Sequence, residues 1–197
     1  MRAIVDIVNS KTRQSLKIGK TNYSSVDVAR DVIAGSILQI AYVAIKQYSV
    51  VSDKPASVLE FESKINALID CSPSARCKHF SLPLVFCVGR HLGELPIGLV
   101  VYAARNQYNH FEEKRLSVAN EIIFDYLNLL WPESVMSDLS FNLRNKKHRF
   151  YSYAALCALG WIDSSERLGY QAYKRDMEAI LEVEFQQANA GDALPRR

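Results

Sequence analysis

Apolar side chains recur at three- and four-residue spacing through most of this chain, as they do in helices that bury one face. Val28, Val32, Ile33, Ile37, Ile40, Ala41, Ala44 and Ile45 form the first such stripe and predict a long helix from Ser24 or Ser25 to about Ser49. Either serine can accept a hydrogen bond from a first-turn amide, and Asp27 sits well against the positive end of the helix. Gly35 is the one weak link in it. Asp53-Lys54-Pro55 breaks the pattern. Ser57 and Glu60 then stand at capping-box spacing for a second helix, with Val58, Phe61, Ile65, Leu68 and Ile69 along its apolar face. Cys71-Ser72-Pro73-Ser74 ends it.

Ser81 to Arg90 is apolar and reads as helical, Pro83 being acceptable in a first turn. Gly93 and Pro96 punctuate the chain before the next helix. Glu112 to Leu130 predicts a further helix striped by Leu116, Ala119, Ile123, Tyr126, Leu127 and Leu130, and Trp131-Pro132 stops it. Arg149 to Trp161 reads as a helix ending near Gly160. Ser164-Ser165-Glu166 opens the last one, with Leu168, Tyr173, Met177, Ile180, Leu181 and Phe185 along it. Gln186 to Arg197 reads as a frayed end. Residues 1–20 differ: their period-two pattern suggests a short β hairpin, with a frayed arm or a short helix as alternatives. The expectation is an all-α chain, with an arm over 1–20, one helical domain over 21–187 and a flexible tail over 188–197.

Composition narrows the class without naming a function. Apolar content is ordinary for a globular protein, and a formal charge of +3 is too small to announce a nucleic-acid binder. Any basic footprint must come from local clustering. The N-terminus has no signal-peptide pattern, so the four cysteines read as free thiols in a reducing cytoplasm. No uninterrupted apolar stretch reaches about eighteen residues, which argues against a membrane span. Cys71, Cys77, His79 and Cys87 invite a zinc reading, but their C-x5-C-x-H-x7-C spacing matches no common zinc site. Buried free cysteines are the favoured reading, with no metal and no cofactor expected.

The chemistry-bearing stretch is Arg105-Asn106-Gln107-Tyr108-Asn109-His110. An apolar run, Leu99-Val100-Val101-Tyr102-Ala103-Ala104, leads into it and a strongly amphipathic segment leads out. An arginine followed by a polar residue and, after four intervening positions, a histidine resembles the Arg-x(4–6)-His motif of HEPN domains. The resemblance spans Leu99 to Leu130 and implies a HEPN-like helical bundle, here with additional C-terminal helices. It also implies a homodimer with two motifs lining one cleft, and metal-independent RNA cleavage of the toxin or host-defence kind. An antitoxin protein is a further implied partner. In the implied chemistry His110 moves the proton of the ribose 2′-hydroxyl and Arg105 stabilises charge on the phosphorane. Products would carry a 2′,3′-cyclic phosphate. Asn106, four residues before His110 and on its face of the helix, is placed to hydrogen-bond the imidazole or a phosphate oxygen, and Asn109 adds an amide at the same edge. Where some HEPN toxins carry a modifiable tyrosine two residues after the histidine, this chain has Glu112, so that mode of neutralisation has no support. The alternative is a catalytically silent HEPN-type module that binds a nucleotide or a protein.

One dense basic run, Arg144-Asn145-Lys146-Lys147-His148-Arg149, gives Arg144, Lys146, Lys147 and Arg149 as candidate RNA-backbone contacts. Its Arg-to-His spacing is one residue short of the motif. A solvated helix-opening turn explains the same run and is preferred. No nucleophile-elbow context supports a hydrolase triad, and no glycine-rich loop is available to cradle phosphates.

Overall fold

A computed structural model describes residues 25–70, 80–110, 117–130, 151–162 and 166–191, excepting the side chains of 25–27, 68–70, 166–168 and 182–191. The hairpin expected over 1–20, the basic run 144–149, and Cys71, Cys77 and His79 lie outside the described residues.

The described chain is mainly helical, as the periodicity predicts. Helix α1 spans Ser25–Tyr48, α2 Ala56–Asp70, α3 Ile97–Asn109, α4 Val118–Leu130, α5 Ser152–Ala158 and α6 Glu166–Gly191. The backbone of α6 continues as helix to Gly191, past the start of the expected frayed end. Helix α3 is central: Leu99, Val100, Val101, Ala103 and Ala104 are all fully buried on it. It packs against α1, α4 and α5, while α6 closes on α1. Helix α1 contributes Ala34, Ile37, Leu38, Ala41 and Ile45 to the core.

Four local expectations change. First, Ser81–Arg90 is not a helix. Only Leu84–Phe86 makes a 3-10 turn, and a two-residue antiparallel hairpin follows, β1 (His91–Leu92) paired with β2 (Leu95–Pro96). Phe86 and Cys87 donate to the Pro83 and Leu84 carbonyls within that turn, while the carbonyls of Val88 and Arg90 accept from the amides of Gly98 and Ile97 at the start of α3. Gly89 at φ 82° and Gly93 at φ 60° supply the turns.

Second, Ser57 is not a helix cap. Pro55 stands in that place, its carbonyl accepting from Val58 and Leu59, and the Ser57 hydroxyl meets His91 Nε2 at 3.1 Å instead. Third, Gly35 is a packing device. A Cβ there would lie 2.3 Å from the Tyr108 ring, so the glycine seats that ring where α3 meets α1. Fourth, Val28, Val32 and Ile40 lie on the outer side of α1, at 43–48% exposed. With apolar residues on nearly every side, α1 over Val28–Tyr48 is also long and apolar enough to cross a membrane by length and composition. Its inner side nevertheless packs as a core helix.

Polar side chains buried within the bundle tie distant segments together. Asp176 on α6 accepts from Arg90 Nε (3.0 Å) and from the Trp161 indole (2.8 Å), and Arg90 also reaches the Leu159 carbonyl. Glu62 on α2 accepts from Lys54 and from the Leu82 amide. Helix α5 ends in a Schellman motif: Gly160 (φ 67°) donates to Cys157 and Trp161 donates to Leu156. That turn delivers Trp161 to Asp176.

Candidate functional site

The motif occupies the last turns of the most buried helix. Residues 97–104 of α3 are apolar and inward-facing almost throughout, so polar groups can first reach the surface after Ala104. Arg105 and Asn106 are half-buried, and Asn109 and His110 are exposed. Gln107 turns the other way: it is 3% exposed and its Oε1 accepts from the Tyr151 amide at 3.1 Å. The motif's third residue is therefore a strut that holds the entry to α5.

His110 closes the helix. Its amide donates to the carbonyls of Asn106 (3.0 Å) and Gln107 (3.3 Å), while its own φ of −117° and ψ of 26° leave the helical region. The imidazole thus stands at the C-terminal end of α3, on the exposed side of the molecule.

Arg105 is held from two helices. Its Nε donates to Gln39 Oε1 at 2.8 Å, and its Cζ lies 4.4 Å from the centroid of the Tyr42 ring, both on α1. Tyr42 is itself stacked on Phe86, with centroids 4.7 Å apart. From α3, Asn106 Oδ1 accepts from Nη1 at 3.2 Å. With its amide oxygen turned toward the guanidinium, Asn109 lies 2.9, 3.0 and 3.2 Å from Nη2, Nε and Nη1. An oxygen nearly equidistant from all three nitrogens sits over the face of the group and leaves its edges open. Asn106 is therefore engaged with Arg105 through its side chain and with His110 through its carbonyl, rather than bonding the imidazole itself.

No acidic side chain pairs with Arg105 among the described residues; three amide oxygens and one aromatic ring surround it. Two other cations do have carboxylates, Lys54 with Glu62 and Arg90 with Asp176. A half-buried guanidinium without a counter-ion is electrostatically incomplete, because neutral dipoles offset only part of the hydration it gave up. Such a group favours an anion, and its planar donor fork matches phosphate.

The structure thus brings together Arg105, Asn106 and Asn109, with His110 at the end of the same helix. Arg144, Lys146, Lys147 and Arg149 fall outside the described residues. Gln39 and Tyr42 were not legible as site residues. Their trace in the sequence is a polar and an amphipathic residue three apart, within the largely apolar stretch Ile37–Ile45. Among the described residues no three His, Cys, Asp or Glu side chains gather as a metal set. Cys87, the described member of the zinc candidates, is a core residue whose Sγ lies 3.5 Å from the Pro83 carbonyl. No protein-family model, curated protein or solved structure matches this chain.

Proposed function

We propose that this chain is a metal-independent endoribonuclease of the HEPN type, acting as a cytoplasmic homodimer on single-stranded RNA. One observation carries the proposal: Arg105 is a half-buried cation held by neutral amides, with no carboxylate partner among the described residues. That arrangement suits a phosphodiester and keeps the full positive charge available to it.

The reaction follows from the residue types. His110 takes the proton of the ribose 2′-hydroxyl, and the 2′-oxygen attacks the adjacent phosphorus. Arg105 stabilises the extra negative charge on the phosphorane, held in register by Asn106. The P–O5′ bond breaks, and the 5′-oxygen leaves with a proton from the second copy's motif. The ends are a 2′,3′-cyclic phosphate and a 5′-hydroxyl. Because the nucleophile is the 2′-hydroxyl, DNA is not cut.

The test is cleavage of total RNA in EDTA by the wild-type protein and by His110→Ala, with end-group analysis. The expected result is EDTA-resistant cutting that leaves cyclic phosphates and falls by at least a hundredfold in the variant, in line with loss of a general acid–base group. Equal activity in the two folded proteins, or no cutting by either, would refute the nuclease reading. The second of those results, combined with retained RNA binding, would favour a silent binding module.

A further inference from the structure

We infer that Gln39, on a helix remote in sequence from the motif, is a positioning residue that sets both the direction and the charge of Arg105. The inference rests on the ribonuclease reading above and deepens it. Direction comes first. A guanidinium binds phosphate bidentately through either of two edges, the Nε–Nη2 side or the Nη1–Nη2 end. The 2.8 Å bond from Nε to Gln39 Oε1 occupies the side. Tyr42, fixed in turn by Phe86, lies beneath the group, and the Asn109 oxygen covers a face. What is left for a phosphate is the Nη1–Nη2 end, and Asn106 draws on Nη1 alone.

Charge is the second part. Position 39 needs an acceptor facing Nε, and a glutamate is the same shape and accepts more strongly. Glutamate would be the better residue for holding Arg105 and the worse one for binding an anion, since it would neutralise the cation inside the bundle. The amide supplies orientation without neutralisation. A role in stability alone would favour the carboxylate, so Gln39→Glu separates the two explanations by sign.

The experiment uses full-length protein in a His110→Ala background, so that RNA survives the measurement. Binding of a fluorescein-labelled, mixed-sequence single-stranded RNA is read by anisotropy in EDTA, alongside thermal melting. Gln39→Glu is expected to hold or raise the melting temperature while weakening RNA binding at least tenfold. It should also flatten the salt dependence by about 0.7 in log–log slope, the loss of one phosphate contact to a single strand. Gln39→Met, which removes the acceptor and adds no charge, is expected to weaken binding by about threefold to tenfold. Glutamate binding RNA as tightly as the parent would overturn the inference while leaving the nuclease reading intact. A lowered melting temperature in Gln39→Glu would overturn it too, because the charge-assisted bond would then not form. Parent protein that binds no RNA would overturn the ribonuclease reading and this inference with it.

Discussion

Replacing Asp176 by alanine should remove a large share of the stability of this bundle. Its carboxylate is 4% exposed and is the meeting point of three segments: α6, which carries it; Arg90, just before the hairpin; and Trp161, just after the α5 Schellman turn. Alanine leaves the Trp161 indole N–H, on a side chain only 2% exposed, without an acceptor, at about 1–3 kcal/mol. It also strips Arg90 of its counter-ion. Breaking a fully buried ion pair costs about 3–5 kcal/mol, but the Arg90 side chain is 37% exposed and can recover part of that from water. We therefore expect about 3 kcal/mol in total. At a urea m-value near 2 kcal/mol/M, the unfolding midpoint should fall by about 1.5 M with m unchanged. Asp176→Asn keeps one acceptor and should cost about half as much. The double variant with Arg90→Met should be less destabilised than the sum of the two singles, because each exposes the other's loss. A midpoint within about 0.3 M of wild type for Asp176→Ala would refute the reasoning, and would mean that α6 is not integral to the fold.

Two further perturbations test the packing. A glycine in mid-helix is ordinarily improved by alanine, by up to about 1 kcal/mol; here Gly35→Ala should instead destabilise by about 1–3 kcal/mol, because its Cβ would land 2.3 Å from the Tyr108 ring. Thermal or urea unfolding reads the sign, and a stabilised variant would refute the contact. Burial pushes the Cys87 and Cys157 thiols up from 9.0 to about 11, and the Tyr153 phenol, hydrogen-bonded to Cys157, from 10.0 to about 12. These groups give their full stabilisation below pH 9 and lose it as the pH rises from 9 toward 12, where the unfolded forms ionise first. Native protein should accordingly keep Cys87 and Cys157 unmodified by iodoacetamide at neutral pH, as read by peptide mass mapping, and become less stable above pH 9. Rapid labelling of either thiol in folded protein would contradict the shielding that holds Cys87 buried and Cys157 half-buried.

Local periodicity carried the helices well and their neighbours poorly. Helix α3 was legible because Pro96 opens it and an unbroken apolar run fills it. Helix α1 was legible as a helix, but not for which side is buried: with apolar residues nearly all round, spacing allows more than one stripe, and only the partners decide between them. The Ser81–Arg90 segment misled because an apolar run says that a segment is buried and not how it hydrogen-bonds; Pro83 and Gly89 were the better guides. The candidate site residues Arg105, Asn106, Asn109 and His110 stand in the sequence as one short motif. Gln39 and Tyr42 were not legible, since the Gln39–Arg105 bond joins residues 66 apart in the chain, and no local rule predicts such a pair.

Gln107 gives the motif a divided allegiance. Within one helical turn Arg105 serves the surface, while Gln107 turns inward to hold the Tyr151 amide and with it the approach to α5. The two obligations would part company in evolution. If the proposed chemistry were given up, Arg105 and His110 would be released to drift, yet Gln107 would persist, kept there by the architecture.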